Sequence, residues 1–332
     1  MKIVIPGGTG QVGTILARAF HKDGHEVAVL SRRPATAPWR VVPWDGVTLG
    51  AWTSEVDGAD VIINLVGRSV NCRYTPEKRK EIMESRTLST RILGRAIAEA
   101  KRRPKVWLQS STATIYAHRF DAPNDEFTGI LGGEEPNLPE TWRFSIDVAK
   151  SWEKVLDESV VPNTRKVKMR SAIIMSPDHG GAFDILLGLV RRGLGGTSGN
   201  GRQFVSWVHE EDFINAVNWL IAHPELEGAI NIAAPNPLPN SAFMRELRRA
   251  WGIGIGLPAA SWMLEIGAVF LGTETELILK SRRVVPGRLS QAGFNFKFPS
   301  WQEAARDLCQ KWKKQKSTRK GRMITFQREF LV

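Results

Sequence analysis

Three glycines at fixed spacing, Gly7-x-x-Gly10-x-x-Gly13, lie near the start of the chain between a β-branched run and an amphipathic stretch. In a loop joining a strand to a helix, the first glycine permits the tight turn and the second lets the backbone approach a pyrophosphate. The third packs the helix close to the strand. Free N–H groups at the helix start, aligned with its dipole, then attract phosphate. The loop Gly7-Gly8-Thr9-Gly10-Gln11-Val12-Gly13 is therefore expected to hold a dinucleotide. The second strand ends in Ser31-Arg32-Arg33. An acid there would serve the ribose hydroxyls of NAD(H), whereas arginine accommodates a 2′-phosphate. Two arginines and no acid favour NADP(H) over NAD(H).

Positioning such a loop requires a buried parallel sheet. Strands are expected at Lys2–Pro6, Glu26–Leu30, Val41–Pro43, Asp60–Val66, Lys105–Ser111, Lys166–Met175 and Ala229–Ile232, from their short apolar, β-branched runs. Helical spacing covers Gln11–Asp23, the stretch after the cap Thr75-Pro76, Phe144–Asp157 and Glu211–His223. Gly193–Gly201, with five glycines, reads as a loop. This alternation specifies an α/β, Rossmann-type doubly wound parallel sheet with a small, mainly helical C-terminal domain. The expected division is 1–236 for the dinucleotide domain, 237–310 for the small domain and 311–332 for a basic, disordered tail.

Asn64-Leu65-Val66-Gly67, Ser85-Arg86 and Ser110-Ser111-Thr112-Ala113-Thr114-Ile115-Tyr116 extend the pattern, as do Trp152-Glu153 and Gly199-x-Gly201-Arg202-Gln203-x-x-Ser206-Trp207-x-His209-x-x-Asp212. Asn231-x-x-Ala234-Pro235, Pro286-x-Arg288-Leu289 and Gly293-Phe294-x-Phe296 follow. With the glycine loop, this set resembles an atypical extended short-chain dehydrogenase/reductase of the "epimerase family protein" subfamily, which carries a C-terminal domain of unknown function. The resemblance covers residues 1–308. It implies a bound NADP(H), adds Leu65, Val66 and Gly67 to the cofactor residues, and leaves the small-molecule substrate unspecified.

In that superfamily a tyrosine handles the substrate proton, a lysine one helical turn later lowers its pKa, and a Ser or Thr orients the substrate. The resemblance puts the last role on Thr112, which could equally be a hydroxyl capping the strand end. The tyrosine and lysine positions hold Phe144 and Val148, neither of which exchanges a proton. Only Tyr74 and Tyr116 occur in the chain. Tyr74 and Lys78 have the letters of the motif but precede the Thr112 strand, and are read as coincidence. Tyr116 follows that strand and is the other catalytic candidate. Arg73, Lys150, Gln203, Trp207 and His209 are candidates to line a substrate pocket. Two classes of function remain: an NADP(H)-dependent oxidoreductase or epimerase-like enzyme, and a non-catalytic NADP(H)-binding regulator or redox sensor acting through a partner.

No metal site is expected, since Cys72 and Cys309 are far apart and no His or carboxylate cluster has ligand spacing. Two cysteines and no secretory signal point to the cytoplasm. Trp262–Gly272 is apolar but too short for a membrane span. The net charge of +12 is concentrated after residue 309. The basic tail reads as a flexible end, with contact to nucleic acid or an anionic membrane as the alternative.

Overall fold

The computed structural model describes residues 1–260, 274 and 276–329, with side chains through residue 317 apart from Leu277. The apolar segment Trp262–Gly272 lies outside the described residues.

The first half alternates strand and helix: β1 (Lys2–Pro6), α1 (Gln11–Lys22), β2 (Glu26–Ser31), β3 (Arg40–Pro43), the short α2 (Thr53–Val56), β4 (Val61–Asn64), α3 (Pro76–Glu99) and β5 (Val106–Thr112). Then come α4 (Glu140–Glu158), β6 (Arg165–Ser171), β7 (Ile173–Met175), α5 (Ala182–Arg191), β8 (Phe204–Val205) and β9 (Trp207–His209). α6 (Glu210–Ala222), β10 (Gly228–Ile232), β11 (Leu238–Pro239) and α7 (Asn240–Trp251) complete the numbered elements, and a long C-terminal helix spans Trp301–Glu329.

Seven strands form one parallel sheet in the order β3-β2-β1-β4-β5-β6-β10. Strand periodicity divides each strand between two cores. Ile3, Ile5, Val29 and Ile63 face α1 and α6, where they meet Leu16, Phe20 and Phe213. Val4, Ala28, Ile62 and Trp107 face α3 and α4 and meet Ile92, Leu93 and Leu156. The strand order reverses between β1 and β4. The crevice beyond the carboxyl ends of these strands is where doubly wound sheets bind ligands.

The run expected as one strand from Lys166 to Met175 divides at Ala172. β6 stays in the main sheet, while β7 leaves it to pair with β9. At the break, Ala172 donates its N–H to Ile232 O. β7, α5 and β9 build a third core with α7 and the C-terminal helix: Met175, Phe183, Leu187, Trp207, Phe243 and Trp301. That core draws on residues from both sides of position 236. The C-terminal helix runs past residue 311 to Glu329. Trp312 is anchored there, donating its indole N–H to Asp184 Oδ1 at 2.8 Å and lying 4.7 Å from the Arg191 guanidinium. Among the described residues no helix is long and apolar enough to cross a membrane.

Candidate cofactor and substrate site

The glycine loop leaves β1 at the switch point. Gly7 has φ +77°, and a Cβ there would lie 2.9 Å from Val66 N, so the turn needs glycine for both conformation and space. A Cβ on Gly13 would come within 2.3 Å of Gly8 Cα, so α1 packs directly on the loop. Gly10 differs from both. Its Cβ would meet only Gly7 O, at 3.6 Å, and its surroundings are otherwise open. Gly10 caps α1 without a side-chain hydrogen bond, and the first turn holds no acid. The helix start therefore presents unsatisfied N–H groups and its positive dipole end to the crevice.

Ser31, at the end of β2, connects this loop to the two arginines. Its Oγ lies 3.2 Å from Thr9 Oγ1, accepts from Arg33 N at 3.2 Å and lies 2.8 Å from Arg33 O. Arg32 and Arg33 are exposed and pair with no carboxylate among the described residues. Across the crevice, Asn64 is fully buried, bonded to Gln109 at 3.0 Å, and accepts from Val66 N at 3.2 Å. It thereby sets the turn Leu65-Val66-Gly67. These two walls bound a cleft of about 750 Å³, lined by Gly7, Thr9, Gly10, Ser31, Arg32, Arg33, Leu65, Val66 and Gly67 among others. Of the remaining loop residues, Gly8 and Gly13 pack on each other, and Val12 packs against the α1-side core. The Gln11 side-chain nitrogen is buried with no hydrogen-bond partner, beside Gly181.

One cation of the site is buried by its surroundings. Arg86 on α3 donates from Nη1 to Arg68 O (3.1 Å) and Ile82 O (2.9 Å), and its guanidinium lies 5.0 Å from the Trp152 ring. Among the described residues it has no carboxylate partner, and burial holds its pKa down at about 10. Gly67 lets it approach the β4 turn, since a Cβ there would lie 3.0 Å from the guanidinium carbon.

Thr112 ends β5 half-buried. Its Oγ1 accepts from Thr114 N at 3.1 Å, the strand-end cap that was one of its two readings. Phe144 and Val148 lie together on α4, packed with Tyr74 and Ile82. Tyr74 is thus brought beside the position where the superfamily keeps its tyrosine, although it belongs to the loop before α3. No sequence spacing reveals this contact, because it spans two separate βα units.

Several candidates are buried and hydrogen-bonded within the fold. Tyr116 is 2% exposed; its hydroxyl donates to Asn231 Oδ1 at 2.9 Å and accepts from Arg170 at 3.0 Å, so both capacities are used away from the cleft. Gln203 is buried and donates to the carbonyls of Ser198 and Ile278. Trp207 is buried against Trp301, with ring centroids 5.0 Å apart. His209 is buried as the N-cap of α6, accepting from Glu211 N at Nδ1 and bonded through Nε2 to Asp307. None of these four lines the cofactor cleft. Lys150 lies in a separate hollow with Glu153, Lys154 and Lys168, sharing no lining residue with the cofactor cleft. Arg73 is half-exposed and paired with Glu274 at 3.2 Å.

His209, Glu211 and Asp307 converge closely enough to suggest a metal cluster, a grouping that sequence spacing does not reveal. The Lys311 ammonium already bridges Glu211 and Asp307. His209 Nδ1 accepts a backbone hydrogen bond, so Nε2 carries the proton toward Asp307. No imidazole lone pair remains for a metal.

Comparison with known proteins places this geometry. A family model described as the NAD-dependent epimerase/dehydratase family matches residues 3–136, and one described as a domain of unknown function (DUF1731) matches residues 259–308. The chain is 31% identical over 314 residues to the epimerase family protein SDR39U1 of Bos taurus, covering 93% of this chain and 99% of that one. It is 30% identical to an epimerase family protein of Staphylococcus epidermidis, covering 92% and 98%. The crystal structure of human epimerase family protein SDR39U1 with NADPH is similar at TM-score 0.81 and 27% identity, covering 93% of this chain and 99% of that one. UDP-N-acetylglucosamine 4-epimerase from Bacillus cereus shares the fold at TM-score 0.70 and 15% identity, covering 94% and 99%.

Proposed function

The chain belongs to the epimerase family proteins of the extended short-chain dehydrogenase/reductase type, and on that premise we propose that it is an NADP(H)-dependent oxidoreductase acting on a small carbonyl or hydroxyl compound. The observation carrying this reading is the cleft itself. Its floor is a helix start at Gly10 with no side-chain cap and open space where a side chain would stand, and its far wall presents Arg32 and Arg33, which pair with no carboxylate among the described residues.

The residues fit the group. The α1 N–H groups would hold the pyrophosphate, and Arg32 and Arg33 the 2′-phosphate. The similar human protein was crystallised with NADPH, which supports the same choice here. Bound NADPH supplies a hydride. The protein must fix the acceptor carbonyl near the ends of β4 and β5, exclude water and hold a proton for the oxygen. In this reading Thr112, at the end of β5, is the hydroxyl that orients such an oxygen.

The replacement of the usual pair by Phe144 and Val148, packed in an apolar cluster, favours a second reading: a non-catalytic NADP(H)-binding regulator. Titrating the purified protein with NADPH and NADH, then offering the NADPH complex a panel of aldehydes and ketones, separates the two. The enzyme reading expects tighter NADPH than NADH binding and carbonyl-dependent NADPH oxidation. Tight binding with no oxidation across the panel supports the regulator, and equal affinities overturn the role given to the arginines.

A further inference from the structure

α5 is apolar on two sides. Phe183, Leu187 and Val190 form the stripe that enters the third core. On another face Ile185 and Leu189, four residues apart and so neighbours on the helix, are 55% and 38% exposed. The turn after α5 extends that face. Leu194 N donates to Leu189 O at 3.0 Å and Leu257 N to Gly193 O at 2.8 Å. Leu194 and Leu257 are themselves 49% and 60% exposed. Aliphatic residues scattered singly over a surface need no explanation, but four gathered by one helix and its turn form a patch.

Cations surround the patch. Ile185 and Leu189 line a hollow of about 1000 Å³ between α5 and the C-terminal helix, together with Arg191, Arg192 and Lys316. Asp184 is the one acid among its described lining residues, and it is already held by the Trp312 indole N–H and by His179. Arg191, Arg192, Lys313 and Lys316 pair with no carboxylate among the described residues. Arg191 and Lys316 lie over the Trp312 ring instead, at 4.7 and 4.8 Å, and Lys313 lies 4.4 Å from the Trp251 ring. The rings fix these charges at the rim of the patch and leave them uncompensated.

We propose that this face of α5 and the C-terminal helix docks on an anionic phospholipid surface. Ile185, Leu189 and Leu194 enter the boundary between headgroups and acyl chains, while Arg191, Arg192, Lys313 and Lys316 meet the lipid phosphates. The commitment to a bilayer follows from the two features standing side by side. Aliphatic side chains gain by leaving water for the acyl boundary, and cations next to them gain from the negative surface potential. A nucleic acid would use the cations, but it has no use for exposed aliphatics, and stacking on its bases takes aromatic rings that this face covers with its own cations. The sequence beyond residue 317 adds charge of the same sign, with Arg319, Lys320, Arg322 and Arg328 against Glu329. The hollow and the cofactor cleft share no lining residue, so the proposal stands apart from what the cofactor does.

Sedimenting the purified full chain with vesicles tests this, using phosphatidylcholine alone and equal parts phosphatidylcholine and phosphatidylglycerol. Binding is expected to the mixed vesicles only, and raising salt should weaken it. Arg192→Gln with Lys316→Gln should lower the partition coefficient about fivefold for each charge removed. Ile185→Ser with Leu189→Ser keeps every cation and should lower it about tenfold or more. All four side chains are at the surface, so thermal melts should match wild type. Leu194→Ser, in the turn rather than the helix, gives the same reading should the helix pair melt early. No binding to mixed vesicles, equal binding to both kinds, or serine variants that bind as tightly as wild type would each overturn the proposal. In the last case, capture of wild type and serine variants alike on double-stranded DNA would assign the face to nucleic acid.

Discussion

Arg170 on β6 grips Glu153 on α4 with two parallel hydrogen bonds, Nε to Oε1 at 2.8 Å and Nη2 to Oε2 at 2.7 Å. Both side chains are nine-tenths buried, and Ser111 on β5 also donates to Glu153 Oε1 at 2.6 Å. The remaining Arg170 nitrogen donates to Tyr116. The pair therefore joins β5, β6 and α4 directly beneath Thr112. Carboxylate and phenol together hold the Arg170 guanidinium charged. Glu153→Gln leaves that buried charge uncompensated and should cost about 3–5 kcal/mol, read as a drop in unfolding free energy by urea denaturation. A loss under about 1 kcal/mol would mean that water reaches the guanidinium.

The loop glycines should respond in opposite ways. Gly13→Ala forces a Cβ to within 2.3 Å of Gly8 Cα and is expected to destabilise the fold by about 1–3 kcal/mol. Gly10→Ala meets only Gly7 O at 3.6 Å, so thermal stability should stay within about 1 kcal/mol of wild type. The methyl would instead occupy the space proposed for the pyrophosphate, and NADPH affinity should fall about tenfold or more. Calorimetric titration beside thermal melts reads both effects, and unchanged affinity in Gly10→Ala would move the cofactor away from α1.

The main sheet and its glycine loop were legible because their signals are local. Ile3 and Ile5 against Val4, or Val61 and Ile63 against Ile62, alternate between two cores, and each strand is followed by its own turn or helix. The break at Ala172 was not legible, since Ile173-Ile174-Met175 continues an apolar run that pairs with β9 rather than β10. α5 was not legible either: Phe183, Leu187 and Val190 form its buried stripe, but the equally apolar Ile185 and Leu189 are exposed on other faces. At the site, the same distinction holds. The cleft walls lie at strand ends that sequence locates. The Tyr74–Ser145 contact joins residues 71 positions apart, and only the packing of α3 against α4 creates it.

Arg32 and Arg33 should discriminate cofactors by charge. Their guanidiniums are exposed and unpaired among the described residues, so replacing either with alanine removes no structural ion pair. Arg32→Ala or Arg33→Ala should weaken NADPH about tenfold, roughly 1.4 kcal/mol, and leave NADH within about twofold. Raising salt should narrow the wild-type preference, since the contacts are solvent-exposed. An equal loss for both cofactors would assign the arginines to something other than the 2′-phosphate.

Zinc should not stabilise the protein. Lys311 supplies the positive charge between Glu211 and Asp307, and the His209 lone pair is committed to Glu211 N. A metal bound at 100 times its Kd would add about 2.7 kcal/mol to the unfolding free energy. Melts with and without zinc chloride are expected to coincide. A shift of that size would show that Lys311 yields its place.

His209 also predicts how stability changes with pH. Its burial and the neighbouring Lys311 push its pKa down to about 4, outweighing the pull of Asp307. The unfolded chain returns the imidazole to about 6.5, so between these values the unfolded state binds more protons than the folded one. Stability from this residue is therefore fully present above pH 6.5 and falls as the pH drops toward 4. Protonating the imidazole would also break the cap, because Nδ1 could no longer accept from Glu211 N. His209→Asn keeps a capping acceptor but has no such titration. Urea unfolding at pH 7.5, 6 and 5 should show wild type losing stability more steeply than His209→Asn. Parallel slopes would mean that His209 titrates alike in both states and that its burial is relieved when it takes up a proton.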